Sequence, residues 1–309
     1  MNVFRTLVPS AGGSAVALGN FDGLHIGHQK VISLALDGAS NGLLPTVFTF
    51  AENPLVDLGG RAGGRLQTQE EKIRLLCKMG VRQLYMVDFR SVKNLSAEEF
   101  VEQVLIGCMK AKKVCCGFNF TFGRGGKADS AVLTSLCKAR GIEVSVAQAV
   151  LLDGTPVSST RIRGLIESGR VEDAARLLGR PFGYCMPVLH GRRLGRSLGT
   201  PTLNQELPQE FVQPKFGVYV SRVKVEDKSY FGVTNVGVRP TVGADRVLSE
   251  TWMPDYRGGD LYGKSVSVEL LRFLRPERKF STLEELQRAI MHDGAQAREI
   301  FRVLQSADR

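Results

Sequence analysis

Five apolar runs of β-like composition, at residues 15–18, 46–50, 83–87, 113–116 and 142–146, alternate with segments of helical pattern. A strand that must pass through a helix before the next strand begins cannot pair with it as a hairpin; the crossover brings the next strand in parallel. The alternation predicts a doubly wound α/β domain on a parallel sheet, and such sheets bind ligands at the carboxyl ends of their strands. Two helix starts are legible as capping boxes, Thr68 with Glu71 and Ser96 with Glu99, and Gly80 closes the first of these helices.

After Pro181 the texture changes. Short β-rich segments at 217–225, 230–236 and 266–274 are separated by Gly and Pro turns, a pattern for an antiparallel barrel or sandwich. A closing helix is expected after Ser281, with Glu284 completing a further capping box. At 309 residues the chain suits two domains, each large enough for its own core. The boundary is placed at 182/183, giving domains 1–182 and 183–309, with neither an internal repeat nor a long polar linker.

The first apolar run leads into Gly19-Asn20-Phe21-Asp22-Gly23-Leu24-His25-Ile26-Gly27-His28 and then directly into helical spacing. That places His25 and His28 at a helix mouth, where unpaired N–H groups and the positive end of the dipole favour phosphate and two imidazoles add donors. A metal pair on one helical face is the sharper alternative, opposed by the absence of a third ligand at suitable spacing; an ordinary helix cap is the plainer one. A second segment, Ser158-Ser159-Thr160-Arg161-Ile162-Arg163, begins another helix with hydroxyls as caps and guanidinium groups as anion partners. After the fourth run, Gly117-Phe118-Asn119-Phe120-Thr121-Phe122-Gly123 offers aromatics and an amide for a ring-binding pocket, or a local hydrophobic cluster under a glycine loop. The second domain carries Gly191-Arg192-Arg193-Leu194-Gly195-Arg196 and Gly199-Thr200-Pro201-Thr202-Leu203-Asn204. Glycines let amides approach phosphates, and a hydroxyl with an amide oxygen can hold Mg²⁺, although basic glycine turns are commonly plain hairpins.

The net charge of +10 is shared: residues 1–182 hold 22 Lys and Arg against 16 Asp and Glu, and residues 183–309 hold 19 against 15. With no like-charged block or basic tail, this balance fits small polyanions as well as it fits a duplex, and the charge alone decides nothing. Six cysteines form neither a disulfide framework nor a zinc pattern, which with the lack of a signal-peptide pattern points to the cytoplasm. No apolar run approaches the ~18 residues of a membrane span.

Together these stretches resemble the bacterial bifunctional riboflavin kinase/FMN adenylyltransferase family over nearly the whole chain. The resemblance rests on the histidine loop, on 117–123 and on Ser158-Ser159-Thr160-Arg161-Ile162-Arg163 in the first domain. In the second it rests on 199–204, Phe216-Gly217-Val218-Tyr219, Asn235-Val236-Gly237-Val238-Arg239-Pro240-Thr241, Glu250-Thr251, Asp260-Leu261-Tyr262-Gly263-Lys264 and Arg275-Pro276-Glu277-Arg278-Lys279-Phe280. It implies a nucleotidyltransferase-like α/β domain followed by a smaller β-barrel with a C-terminal helix. It implies ATP-dependent phosphorylation of riboflavin to FMN by the second domain, and adenylylation of FMN to FAD by the first.

The resemblance gives His25, His28 and Arg161 catalytic roles on the ATP phosphates, with Gly19, Phe21, Asp22, Gly23, Gly27, Ser159, Thr160 and Arg163 around them. Asn53, Asn119, Phe120 and Phe122 fall on the flavin side. In the kinase Glu250 matches the catalytic glutamate and Thr202 with Asn204 the Mg²⁺ pair, while Gly191, Gly195, Arg196 and Gly199 cover the ATP phosphates. Four places depart from the family pattern: Phe50-Ala51-Glu52-Asn53-Pro54 stands where Phe-Asp-Pro-His-Pro is common, Ala128 stands near a usual glycine, Trp252 replaces a histidine beside Glu250, and Tyr256-Arg257-Gly258-Gly259-Asp260 is one residue longer than the common form.

The competing readings are a class I aminoacyl-tRNA synthetase or another adenylyltransferase sharing His-Ile-Gly-His, a single-function FMN adenylyltransferase with an inactive flavin-binding barrel, and a flavin-responsive regulator. The chain has no Lys-Met-Ser-Lys-Ser-type loop for the first, and no helix-turn-helix or aromatic-basic stripe for the last.

Overall fold

The computed structural model describes residues 1–54, 63–190, 200–239 and 246–307. They form two compact units, Met1–Ala62 with Gln69–Ser159, and Gly63–Thr68 with Thr160–Arg309.

The first unit contains strands β1 (Asn2–Phe4), β2 (Ser14–Leu18), β3 (Leu44–Phe50), β4 (Gln83–Val87) and β5 (Ala111–Gly117), then the small hairpin of β6 (Thr121–Phe122) and β7 (Ala128–Asp129). β8 (Glu143–Ala147) and a second hairpin, β9 (Leu151–Leu152) with β10 (Thr155–Pro156), follow. Six strands make one parallel sheet in the order β1-β4-β3-β2-β5-β8. From β2 the chain steps outward through β3 to β4, then returns to the other side of β2 for β5 and β8. The carboxyl ends of β2 and β5 therefore flank the point where the winding reverses, the place where such sheets leave a crevice.

Every residue of β2 is buried. Its side chains alternate between two cores, Val16 and Leu18 in one, Ala15 and Ala17 in the other, as the two-residue period of a strand covered on both faces requires. One core takes Phe100, Val104 and Leu105 from the helical segment 97–108; the other takes Val31 and Ile32 from α1 (Ile26–Leu36) and Leu76 from α2 (Gln69–Lys78). Segment 97–108 starts as one α-helical turn, α3 (Ala97–Glu99), and continues as a wider π-helix, Phe100–Cys108. Its expected capping box is present: the Ser96 hydroxyl accepts from Glu99 N at 3.1 Å and Ser96 N donates to the Glu99 carboxylate at 2.7 Å. α4 (Ser130–Lys138) completes the layer, and α5 (Ser159–Glu167) starts on the last residue of the unit.

The second unit includes α6 (Val171–Leu178), closed by Gly179 at φ 71°, and the strands β11 (Phe182–Pro187), β12 (Thr202–Leu207), β13 (Gly217–Val225), β14 (Lys228–Arg239), β15 (Arg246–Trp252) and β16 (Ser265–Pro276). These form an antiparallel sheet in the order β11-β16-β13-β14-β15-β12. Its outer strands are drawn together, which curls the sheet into the expected barrel. Leu189 N donates to Asn204 O at 2.7 Å, and the buried Gln205 amide of β12 donates to the carbonyls of Met186 and Val266, each at 2.7 Å. The short segment 63–68 belongs here too: Arg65 N donates to Glu210 O at 2.7 Å and Val212 N to Arg65 O at 2.9 Å.

α7 (Leu283–Ala307) packs Ala297 and Phe301 against Val218, Val220, Phe231 and Val233 of the sheet. Its cap corrects the expectation from sequence by one residue. Thr282, not Ser281, accepts from the backbone of Glu285, not Glu284, at 3.2 Å, and Ser281 N donates to the Glu285 carboxylate at 3.0 Å. Both registers satisfy the motif; Thr282 is the one adjoining the first helical residue.

Candidate functional site

The first constellation gathers where the winding reverses. The loop from β2 to α1 has three consecutive or near-consecutive residues at positive φ, Phe21 at 50°, Gly23 at 83° and Leu24 at 43°. Backbone of this kind is held only where its surroundings determine it. Here the Asn20 carbonyl accepts from Thr49 Oγ1 at 2.8 Å and from Lys72 Nζ at 2.9 Å, and the Leu24 carbonyl accepts from the Gln29 amide at 2.9 Å. The buried Phe21 and Leu24 side chains pin the same turn from below.

His25 caps α1: its Nδ1 accepts from His28 N at 3.2 Å. An imidazole that accepts at Nδ1 carries its proton on Nε2, so the cap fixes a tautomer that presents an N–H donor. The His28 ring stacks on His25 with centroids 3.6 Å apart, and it meets Phe21 edge-on with centroids 5.4 Å apart. Burial, then the neighbouring His25, then Lys72 hold the His28 pKa well below the usual histidine range. His28 Nδ1 has no hydrogen-bond partner within the described residues.

These residues open on a cavity of about 650 Å³. Gly19, His25 and His28 line one side and Asn119, Phe120 and Phe122 another, so the two loops that follow β2 and β5 face one space. Phe120 and Phe122 stack with centroids 5.8 Å apart, an apolar wall of ring dimensions beside the Asn119 amide. Ser159 reaches the same cavity, and its hydroxyl donates to the Asp22 carbonyl at 2.8 Å, joining the histidine loop to the start of α5. Thr160, Arg161 and Arg163 follow in the chain and are counted with the second unit, where Arg163 Nε donates to Gly64 O at 2.7 Å. From the segment after β3 the cavity takes Phe50 and Pro54, with Asn53 between them in sequence off its wall. Ala128 is buried opposite Phe122 in the β6–β7 hairpin, where its methyl group packs in the core.

The second constellation is a row across the barrel sheet. Glu250 on β15 stands opposite Asn204 on β12 and Asn235 on β14. Opposite residues share a face, and so do residues two apart, which adds Thr202 and Trp252 to the face of Glu250. This is the outer face, because the intervening positions fill the barrel: Ser249, Thr251, Gln205 and Thr234 are fully buried, and Thr234 Oγ1 lies 2.8 Å from Thr251 Oγ1. Asn235 Nδ2 donates to Glu277 at 3.1 Å. The carboxylate lies over Gly237, where a Cβ would stand 2.0 Å from Glu277 Oε1 and push the carboxylate aside. Gly191, Gly195, Arg196 and Gly199 lie outside the described residues.

Three contributors were missed from sequence: Lys72, Glu277 with Asn235 as a pair, and the packing of Trp252. Lys72 had a signal, since with Leu76 it occupies the buried face of α2, an unusual place for lysine without a polar partner. The others depend on register and on a distant helix.

The comparisons with known proteins bear on both units. The FAD synthetase family model matches residues 8–161 and the riboflavin kinase model residues 178–301. The chain is 35% identical to the bifunctional riboflavin kinase/FMN adenylyltransferase of Pseudomonas fluorescens, with 96% of each chain covered. It is 34% identical to that of Escherichia coli strain K12, covering 94% of this chain and 93% of the relative. A crystal structure described as a macrolide-efflux protein from Streptococcus pneumoniae superposes with a TM-score of 0.87 at 31% identity, covering 96% of this chain and 99% of the other. Among the described residues no helix is long and apolar enough to cross a membrane. The chain belongs to the bifunctional riboflavin kinase/FMN adenylyltransferase family.

Proposed function

We propose that this member of the family runs two consecutive ATP-dependent reactions at separate sites: phosphorylation of riboflavin to FMN in residues 183–309, and adenylylation of FMN to FAD with release of pyrophosphate in residues 1–182. The observation that carries the reading is the presence of two distinct constellations, the histidine cavity and the Glu250 row, one in each compact unit.

In the adenylylation the nucleophile is the FMN phosphate, whose second pKa is about 6, so at neutral pH it attacks the α-phosphorus of ATP as a dianion and needs no base. The new P–O bond forms as the bond to the leaving pyrophosphate breaks. The work left to the protein is to align two anions and neutralise charge. His25 offers its Nε2–H and the N-terminus of α1 its amides to the phosphates. Asn119, Phe120 and Phe122 suit the flavin ring, and the resemblance gives the segment Ser159-Thr160-Arg161 the outer phosphates.

In the kinase reaction the nucleophile is the terminal ribityl hydroxyl, a very weak acid. Glu250 accepts its proton as the oxygen attacks the γ-phosphorus and ADP leaves. Thr202 and Asn204 present a hydroxyl and an amide oxygen on one face of β12, hard donors that would hold Mg²⁺. Mg²⁺ bound there would neutralise charge on the phosphates. The ligands are thus riboflavin, FMN, FAD and ATP. The cysteines, four of six buried, fit a cytoplasmic setting.

Incubation of the protein with ATP and Mg²⁺ and either riboflavin or FMN, with the flavins separated by chromatography, tests the reading. It requires FAD from both incubations, with FMN as an intermediate in the first. FAD from FMN alone would mean an adenylyltransferase whose barrel is inactive.

A further inference from the structure

Trp252 lies one row from Glu250. Its partners across the sheet are Thr202 and Val233, where those of Glu250 are Asn204 and Asn235. The indole packs with the core that α7 forms on this face, among Val233, Ala297 and Phe301. The position on α7 that receives it is Gly294: a Cβ there would stand 2.6 Å from Cζ3 of the indole, closer than carbon atoms approach, and 3.1 Å from Cη2. Glycine is the poorest helix former after proline, and Gly294 sits well inside a helix of 25 residues. Local propensity opposes a glycine here; the seat for the indole accounts for it.

Two further ties lie beside this seat. One turn along α7, Arg298 Nη2 donates to Asp255 Oδ1 at 2.8 Å, fixing the segment that follows Trp252, and its guanidinium stands 4.7 Å from the Phe231 ring centre. On the other side Asp293, next to Gly294 and buried, holds Arg275 through Nε at 3.0 Å and Nη2 at 2.6 Å. Arg275 is two residues before Glu277, whose carboxylate accepts from Asn235, the neighbour of Glu250.

We propose that Trp252, seated on Gly294, is a positioning residue for the kinase reaction. The indole sets the placement of α7, and α7 acts through Asp293, Arg275 and Glu277 on Asn235 beside Glu250. The proposal rests on the assignment of the kinase step to Glu250.

Trp252 is the single tryptophan of the chain, so its emission reports on the seat independently of activity. The test compares wild type, Gly294→Ala, Trp252→His and the double variant as full chains, reading indole emission, acrylamide quenching, kinase kcat and KM, and FMN adenylylation. In Gly294→Ala the added methyl group displaces the indole. Emission moves to the red, quenching rises, and kinase kcat falls by roughly tenfold or more while FMN adenylylation stays within about twofold. In the double variant the smaller ring leaves room for the methyl group, and kinase kcat recovers to at least the rate of Trp252→His. Unmoved emission in Gly294→Ala, or moved emission with full kinase kcat, would overturn the proposal. If Gly294→Ala does not fold, the double variant decides: a rate below that of Trp252→His means that the methyl group harms something other than the indole, and the proposal fails. A wild type that makes no FMN would instead remove the assignment of Glu250, with the emission still testing the seat.

Discussion

His28 is the residue in the first unit where charge, burial and geometry meet. Its pKa is lowered chiefly by burial, so in the window below the ordinary histidine pKa of about 6.5 the unfolded chain binds a proton that the folded chain refuses. The stability contribution is therefore complete above that pH and declines as pH falls through it. Thermal melts between pH 7.5 and 5.5 should show a falling Tm that His28→Asn flattens; an equal slope in the variant would contradict this. ATP phosphates beside the ring reverse the balance, since a nearby anion favours the imidazolium. Binding of ATP near pH 6 should take up a proton, measured by calorimetry in buffers of different ionisation enthalpy, and His28→Asn should abolish the uptake. The cysteines give a separate check. Burial pushes the Cys115 thiol up to about 12 and those of Cys116 and Cys137 up to about 11, while Cys77 and Cys185 are exposed. Iodoacetamide at pH 8 should modify Cys77 and Cys185 in the native protein and reach the others only on unfolding.

At the scale of elements, α7 is held by mutual constraint more than by its own propensity. Asp293 is buried and its partner Arg275 partly so, so Asp293→Ala leaves a partly buried guanidinium without its counter-charge. The expected loss is about 3 kcal/mol, seen as a shift of the chemical denaturation midpoint, against an intrinsic change of about 0.7 kcal/mol or less from helix propensity. A loss under ~1 kcal/mol, the range of a surface pair, would mean that the tie is solvated. Elements of this unit were unevenly legible. The run 217–225 matches β13 end to end, because valines and an aromatic residue, side chains that favour strands, fill it between Gly217 and a turn. β15 went unread, because Ser249 and Thr251 are polar yet face the barrel interior, where they and Thr234, Ser221 and Tyr184 satisfy one another's hydroxyl groups. Alternation of polarity disappears when the interior itself is polar. In the first unit four of the five expected strands needed extension or a shift by a residue or two, and β1 was missed because it is a three-residue edge strand with little burial.

At the scale of the whole molecule, the sequence made legible which loops meet on one cavity. The histidine loop, residues 117–123 and Ser159 do converge, since strand order decides which loops share a crevice and alternation of strands and helices predicts that order's class. The Glu250 row was legible only through family resemblance: a lone strand carboxylate has no local mark, and its neighbours Asn204 and Asn235 are distant in sequence and near only by register. Segment 63–68, which leaves the first unit to pair beside residues 210–212, had no signal of either kind. The central claim is that the two constellations act as separate sites. Its most direct test assays each reaction in Glu250→Ala and His28→Ala, with the fold of each variant checked by circular dichroism. Glu250→Ala should lose formation of FMN from riboflavin by a factor of roughly 10² or more yet still convert FMN to FAD, and His28→Ala should do the reverse. Loss of both reactions in either folded variant would contradict it.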